Sequence, residues 1–181
     1  WLNPEFSWMN KWKEGYKPEY PLITSNNQLP VKSSEEIVLF LKDYIKQNFD
    51  DKTCIFLSGG IDSAILASLL PENTLAYTIR FIADGAIDES ILALQYAEQY
   101  KLSLAIVDVC WEDYLKYGKL LMRSKRAPLH PVEVALYKAA TIAKMDGMDN
   151  IIVGNGADST FGGMDKLLSK DWTFDEFVKR Y

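Results

Sequence analysis

Apolar and polar positions follow two different periods along this chain. Four short stretches are apolar almost throughout, which is typical of strands buried on both faces: residues 53–58, 75–81, 102–109 and 150–154. The stretches around them have apolar residues at helical spacing. They predict one helix that begins at Ser33 and others over 62–70, 88–100, 111–124 and 131–145.

Two of the predicted helices have a distinct face. The first starts at Ser33 and Glu36, which have capping-box spacing. Its predicted apolar face consists of Ile37, Val38, Phe40, Leu41, Tyr44 and Ile45. The last helix has a small-residue face, which predicts close packing against a sheet, made of Ala135, Ala139, Ala140 and Ala143.

The alternation of strands and helices defines the expected fold class. It predicts an α/β three-layer sandwich with a central parallel sheet of about five strands and right-handed crossovers. Residues 1–32 have four prolines and three tryptophans and predict an irregular arm, which either packs on the domain or contributes to a dimer contact or a pocket. Residues 33–181 are then the α/β domain.

Composition narrows the functional classes. The chain has 20 basic and 25 acidic side chains, and this net negative charge argues against nucleic-acid binding. No apolar run approaches the roughly 20 residues that span a bilayer. Two cysteines without CxxC spacing and a single histidine predict neither a disulfide scaffold nor a zinc site. The expected setting is a reducing cytoplasm.

The most informative stretch is FLSGGIDSAILASLL, residues 56–70. A buried strand ends at Leu57, two glycines follow, and a helix starts near Asp62. Glycines give the backbone unusual freedom and let phosphate oxygens approach, while N–H groups of a first helical turn attract anions. Ser58 and Ser63 add hydroxyl donors. The residues predicted to bind a nucleotide here are Leu57, Ser58, Gly59, Gly60, Ile61, Asp62 and Ser63.

A carboxylate inside this anion cradle carries a second implication. The loop has neither the GxxxxGK[ST] spacing of nucleoside-triphosphate loops nor the GxGxxG spacing of dinucleotide folds. Asp62 would repel a phosphate unless a divalent cation lay between them, so it predicts Mg²⁺. The alternative is that Asp62 only caps the helix and the glycines only make a turn.

The SGGIDS loop resembles the pyrophosphate-binding loop of the N-type ATP pyrophosphatases. That superfamily includes asparagine synthetase, NAD synthetase, GMP synthetase and several sulfur-transfer ligases. The resemblance implies cleavage of ATP between the α and β phosphates. AMP would be transferred to a substrate oxygen, and pyrophosphate would leave into the loop.

A second motif narrows the resemblance to one branch. GNGADSTFGG, residues 154–163, is similar to the GEGxDExFGG signature of the asparagine synthetase domain, a family that also contains the β-lactam-forming synthetases. The resemblance extends from about residue 33 to residue 163. The matching residues are Gly154, Gly156, Asp158, Phe161, Gly162 and Gly163.

The second motif also has a physical interpretation of its own. Asp158 and Asp62 follow predicted parallel strands, whose carboxyl ends meet at the edge where open α/β sheets bind ligands. Together they are predicted as the catalytic pair that holds Mg²⁺ against the phosphates. Gly154 and Gly156 would let the backbone approach AMP. Asp158 as an ordinary loop or capping carboxylate is the alternative.

Two positions depart from the family pattern. Asn155 replaces a glutamate that is thought to assist attack by ammonia, and an amide cannot accept a proton near neutral pH. Ser159 replaces a second acidic residue. We therefore expect ATP chemistry at this site, with Asn155 beside the nucleotide, but not synthesis of asparagine.

Three further residues are weaker candidates. The resemblance matches Ile79, by position, to the residue after the second strand whose backbone holds adenine, with Leu57 packed on the ring. Arg80 could face a phosphate or carboxylate, or be simply solvated. Arg126 precedes the last helix, where the family lines its acceptor side, and is the candidate substrate or phosphate anchor.

The expected function is that of an ATP-dependent, AMP-forming ligase. A carboxylate or related oxygen would be adenylated, and an amine or ammonia would then displace AMP. The expected cofactors and partners are ATP, Mg²⁺ and a small-molecule acceptor, with a separate ammonia-supplying partner and a homodimer left open. The alternatives are a sulfur-transfer ligase using Cys110, expected to be buried after the third strand, and a nucleotide-binding subunit without catalysis.

Overall fold

The computed structural model describes residues 33–157 of the chain. Its strands are β1 (Thr53–Phe56), β2 (Leu75–Phe81), β3 (Ser103–Val109) and β4 (Asn150–Ile152). Its helices are α1 (Ser34–Asn48), α2 (Ile61–Ala67), α3 (Ser90–Tyr100), α4 (Trp111–Lys125) and α5 (Pro131–Met145). In this part of the chain, no helix has the length and apolarity needed to cross a membrane. The predicted arm and the predicted boundary at residue 33 lie at or outside these limits and stay predictions.

The elements follow the apolar pattern closely, with one instructive difference. β2 and α5 have the predicted bounds. The helix predicted over 62–70 ends at Ala67, and Leu69 and Leu70 continue in tighter turns that donate to Leu66 and Ala67. Pro71 accounts for the early end, because it has no N–H to donate to the carbonyl of Ala67 four residues back and its ring would clash with that carbonyl.

All four strands of the described sheet are parallel, in the order β3-β2-β1-β4. The chain moves outward from β1 to β2 and β3, and then returns to the other side of β1 to form β4. The fold class is therefore confirmed, with four strands in the described part where about five were expected. This reversal of direction beside β1 creates a topological switch point, the place where open α/β sheets bind ligands.

Each face of the sheet has its own hydrophobic core. On one face, α1, α2 and α3 pack around Ile55 and Leu57. On the other, the alanine face of α5 covers Cys54 and Tyr77. Of the four alanines predicted for this face, Ala135, Ala139 and Ala143 are fully buried and Ala140 is half-buried. The three layers hold β1 rigidly between two cores, so the loop that follows β1 starts from a fixed point.

Two apolar patterns are less buried than expected. On α1, only Ile45 is buried, while Phe40 and Tyr44 are exposed and stack on each other with ring centroids 6.4 Å apart. On β3, Ile106 and Asp108 are exposed because β3 is an edge strand of the described sheet and its outer face is only partly covered. Apolar content alone therefore overestimates burial at the margins of the fold.

Candidate functional site

The two motifs meet at the carboxyl end of the sheet. β1 and β4 are hydrogen-bonded neighbours, and the loops that follow them lie side by side. A Cβ atom on Gly154 would lie 3.1 Å from Ser63 N and 3.3 Å from Asp62 Cβ. These distances are shorter than most Cβ contacts, so the loop after β4 packs directly against the first turn of α2 and a side chain at position 154 would push it away.

Ser63 organises the loop after β1 from within. Its side chain is buried, and its Oγ accepts a hydrogen bond from Ser58 N at 3.1 Å and lies 2.9 Å from Ser58 Oγ. It also lies within hydrogen-bonding distance of the carbonyl oxygens of Ser58 and Gly60. Ser58 is exposed and accepts from Gly60 N at 3.1 Å. Ser63 thus points into the loop whereas Ser58 is exposed, and contact of either serine with a phosphate stays a prediction.

Of the two glycines of this loop, Gly59 is the one with little space around it, and neither has an unusual backbone angle. Neither Gly59 nor Gly60 has a positive φ, and Gly60 has an extended φ of −86°. A Cβ on Gly59 would lie 3.2 Å from both Glu89 O and Leu92 Cβ at the start of α3. A side chain at Gly59 would therefore push against the start of α3, which supports the loop from behind.

The first turn of α2 presents its main chain to the site. Gly60 is the N-cap and supplies no side-chain acceptor, and the first helical bond runs from Ala64 N to Gly60 O at 3.3 Å. The N–H groups of Ile61, Asp62 and Ser63 precede that bond and have no helical acceptor. Such groups, together with an exposed hydroxyl on Ser58, suit an anion.

Asp62 has the properties of a carboxylate that is available to a cation. It is half-exposed, and no residue within 33–157 forms a hydrogen bond or an ion pair with its side chain. The same range contains no group of three acidic, histidine or cysteine side chains close enough to hold a metal. Asp62 therefore fits Mg²⁺, which commonly takes one or two carboxylates and completes its shell with phosphate oxygens and water. Asp158, its predicted partner, lies outside the residues described.

The loop after β4 begins with a turn that needs glycine. Gly156 has a φ of +92°, a left-handed conformation that side chains disfavour. Asn155 is exposed in that turn, next to Gly154 and thus beside the first turn of α2. Ser159, Phe161, Gly162 and Gly163 of the motif lie beyond the described range.

Leu57 and Ile79 differ from their expected placement. Leu57 is only 1% exposed, and its side chain packs in the core beneath α2, so it offers the site its backbone rather than a surface for a ring. Ile79 lies within β2, paired with Val107 of β3, and not after the strand. β1 has already ended opposite Tyr77, so Ile79 lies in the part of β2 that extends past β1.

The two arginine candidates have different surroundings. Arg80 donates two hydrogen bonds to Asp108, at 2.7 and 3.0 Å, so the carboxylate it faces belongs to the neighbouring strand. This ion pair raises the pKa of Arg80 and lowers the pKa of Asp108. Arg126 is exposed and ends α4 in a left-handed conformation, with φ at +55°. The structure thus gives Arg126 a helix-ending role and gives Arg80 a partner inside the protein.

A second acidic cluster follows β3 and was missed from the sequence. Asp113 is buried, and its Oδ2 accepts from Lys138 Nζ at 2.7 Å and from Cys110 N at 2.9 Å. Burial acts to raise the pKa of Asp113, but the hydrogen bonds from Lys138 and Cys110 outweigh it and hold the pKa below its usual value. The sequence signal was the capping-box spacing of Cys110 and Asp113 at the start of α4.

The cysteine chemistry of the described residues is unfavourable for sulfur transfer. Cys110 is half-exposed, not buried as expected. Hydrogen bonds with Glu112 and Asp113 raise the pKa of its thiol. Burial raises the pKa of Cys54 to about 11. Nucleophilic cysteines need a lowered pKa, and neither thiol has one.

The described part of the chain is a parallel α/β sheet with a glycine-containing loop and the start of a helix at its topological switch point. The chain belongs to the asparagine synthase family, whose model matches residues 45–180. The resemblance inferred from the two motifs is therefore confirmed.

Three curated proteins similar to this chain have different names. The chain is 26% identical to amidase chry2 of Gibberella zeae over 67% of its length and 25% identical to amidase chyE of Penicillium rubens over 84%. It is 30% identical to putative asparagine synthetase [glutamine-hydrolyzing] 1 of Methanocaldococcus jannaschii over 62%. These matches span 21%, 26% and 21% of the relatives' own lengths.

One solved structure is also similar, the NH3-dependent NAD synthetase from Campylobacter jejuni in complex with the nitrate ion. The identity is 20%, and the match covers 66% of this chain and 52% of that chain, with a TM-score of 0.42.

Proposed function

We propose that the protein is an ATP-dependent, AMP-forming ligase. It adenylates a carboxylate or related oxygen of a small acceptor and releases pyrophosphate, after which an amine or ammonia displaces AMP. Membership of the asparagine synthase family supports ATP-dependent ligase chemistry in general. The acceptor and the nucleophile are part of the proposal.

One observation carries this function. At the switch point beside β1, one loop carries the exposed hydroxyl of Ser58, the main-chain N–H groups that begin α2, and Asp62, a carboxylate that has no cationic partner in the described part of the chain. Anion donors next to an acid favour a ligand that brings its own cation. A magnesium-bound polyphosphate is such a ligand.

The proposed roles follow from this arrangement. Ser58 and the first turn of α2 bind the pyrophosphate portion of ATP, and the backbone at Gly154 and Gly156 lies against AMP. Asp62, with Asp158, holds Mg²⁺, which neutralises charge on the phosphates when it is bound. The backbone of Ile79 is proposed to hold adenine. Catalysis then relies on positioning and electrostatics, as is usual for transfer at phosphorus.

Asn155 separates this proposal from asparagine synthesis. It follows Gly154, which lies against the first turn of α2, and its amide cannot take a proton from an attacking ammonium at neutral pH. Loss of a general base costs about 10²- to 10⁴-fold in rate. We therefore propose another acceptor, with ammonia or an amine supplied directly or by a partner protein, in a cytoplasmic setting. Arg126 is the proposed acceptor anchor.

The test combines binding with product analysis. Asp62→Asn should weaken binding of Mg·ATP about tenfold or more in calorimetry, because the charged contact between the carboxylate and the cation is lost. The fold should be retained, since Asp62 is half-exposed. The matched control is Asp43→Asn, which changes an exposed carboxylate of α1 and should leave binding unchanged. Chromatography of ATP incubated with the protein and pools of candidate acceptors should show AMP and pyrophosphate.

Four results would contradict the proposal in different ways. Equal affinities of the parent and Asp62→Asn for Mg·ATP would remove the metal role of Asp62. ADP as the main product would refute the ligase chemistry, and binding without any cleavage would favour a non-catalytic subunit. Robust formation of asparagine from aspartate, ATP and ammonia would refute the argument from Asn155.

A further inference from the structure

The two serines of the loop form a hydrogen-bonded pair with an unequal exposure. Ser58 is exposed at the site, whereas Ser63 is 4% exposed. Their Oγ atoms lie 2.9 Å apart, and either can be the donor. The direction of this one bond decides what Ser58 offers to a ligand.

Counting protons limits the possible arrangements. A hydroxyl has one proton to donate and two lone pairs to accept with. Ser63 Oγ accepts from Ser58 N, and its proton has three candidate acceptors: Ser58 Oγ at 2.9 Å, Gly60 O at 3.1 Å and Ser58 O at 3.2 Å. Ser58 Oγ in turn accepts from Gly60 N.

Two arrangements satisfy these contacts. In the first, Ser63 donates to a carbonyl oxygen, and Ser58 donates its proton inward to Ser63, so that Ser58 shows only a lone pair to the outside. In the second, Ser63 donates to Ser58 Oγ. Both lone pairs of Ser58 are then used, by Ser63 and by Gly60 N, and its proton must point outward. Only the second arrangement offers a donor to an anion.

We infer that Ser63 is a positioning residue that directs the hydroxyl proton of Ser58 toward the phosphate. When a phosphate oxygen arrives, the Ser63 proton turns from a carbonyl to Ser58 Oγ, and the Ser58 proton turns outward. No proton leaves either oxygen, because both hydroxyls only rotate. Ser63 itself stays buried behind Ser58 and does not touch the ligand. This inference rests on the proposed function, since it requires the loop to bind pyrophosphate.

A double-mutant cycle tests this role, with magnesium pyrophosphate as the calorimetric probe. Ser58→Ala should weaken binding about tenfold, the usual size for a hydrogen bond to a charged group. Ser63→Ala should weaken binding roughly three- to tenfold when Ser58 is present. In the Ser58→Ala background, Ser63→Ala should add less than about twofold, because its effect passes through Ser58.

A positioning role for Ser63 predicts that its effect on affinity depends on whether Ser58 is present. A purely structural role predicts the same effect in both backgrounds. Unfolding in urea of the unliganded variants reports any structural cost of Ser63→Ala, which should be similar in both backgrounds. Ser63→Cys keeps the shape but is a weak donor and acceptor, and it replaces Ser63→Ala in the cycle if the alanine variant does not fold. Ser68→Ala, at the other end of the same helix, should leave the affinity unchanged, since its hydroxyl only donates to Ile65 O.

The outcomes separate this inference from the function beneath it. If Ser63→Ala has the same effect on affinity in both backgrounds, or none when Ser58 is present, the positioning role is refuted while pyrophosphate binding stands. If the parent binds neither magnesium pyrophosphate nor Mg·ATP, the proposed function is refuted and the inference with it.

Discussion

Two junctions at the carboxyl edge of the sheet have the same construction and opposite electrostatics. After β1, the chain enters α2 with Asp62 in the first turn, and after β3 it enters α4 with Asp113 in the first turn. Asp62 is half-exposed and has no partner within 33–157, whereas Asp113 is buried and bonded to Lys138 and Cys110. An acid after a parallel strand is therefore not in itself a ligand site.

The difference lies in what satisfies each carboxylate. At the β3 junction, the protein supplies the cation and the N–H donors, so the cluster is closed and contributes to stability. At the β1 junction, hydroxyl and main-chain contacts shape the loop without using Asp62. We expect substitutions of the Asp113 cluster at the β3 junction to act mainly on stability, and substitution of Asp62 at the β1 junction to act mainly on binding.

Breaking the buried ion pair should have the largest effect on stability. Lys138→Met leaves Asp113 buried without its cation, which should reduce the free energy of unfolding by about 3 kcal/mol. Urea unfolding measures this loss. The double variant Asp113→Asn/Lys138→Met should recover part of it, because no uncompensated charge then remains.

The control for that prediction is an ion pair on the surface. Lys144→Met removes a pair with Asp149 in which both side chains are well exposed, and such pairs contribute about 0–1 kcal/mol. If Lys138→Met and Lys144→Met reduced the free energy of unfolding equally, the buried ion pair at the β3 junction would contribute no more to stability than an exposed one.

Steric support of the β1 junction should give an intermediate effect. Gly59→Ala places a methyl group 3.2 Å from Glu89 O and Leu92 Cβ, and overpacking of this kind costs about 1–3 kcal/mol. Gly60→Ala is the matched control, because its φ is ordinary and only the mobile Ser58 Oγ lies nearby, at 3.3 Å. In thermal unfolding, the Tm of Gly59→Ala should be well below the Tm of Gly60→Ala. The reverse ranking would contradict the support from α3.

Acid should weaken the β3 junction by a smaller amount. The folded state holds the pKa of Asp113 below its ordinary value of 3.8. A lowered carboxyl pKa contributes stability that is present above the unfolded pKa and is lost as the pH falls through the folded pKa. The parent should therefore lose stability below about pH 4, and Asp113→Asn should show a shallower loss in urea unfolding between pH 6 and 3. Parallel pH profiles would contradict this assignment.

Local patterns predicted the fold well because helices and strands depend on local spacing. The bounds of β2 and α5 were predicted to the residue. The two motifs were expected to lie close together because the carboxyl ends of parallel strands meet at one edge of the sheet, and β1 and β4 are indeed paired. Burial was predicted less well: β3 is as apolar as β1 in sequence, but its position at the edge of the described sheet leaves Asp108 exposed.

The residues of the candidate site stay predictions, and the sequence did not indicate in which direction their side chains point. Nothing in SGGIDS distinguishes the inward hydroxyl of Ser63 from the outward one of Ser58, since that depends on how the turn closes. The need for glycine at position 59 comes from α3, which approaches from elsewhere in the chain. The Asp113–Lys138 pair joins two helices and leaves no local pattern.

The return of the chain to the far side of β1 also has a consequence for the order in which the molecule is made. The contact between Cys54 Sγ and Asn150 O spans 96 residues, and β4 can pair only after α4 and α5 have been synthesised. During translation, the loop after β1 therefore emerges long before the glycine that presses against it at position 154. Parallel pairing over such a separation is slow, because the entropy cost of closing a long loop comes before any stabilising contact is formed. In a nascent chain, the loop after β1 is therefore present for some time before Gly154 can pack against the first turn of α2.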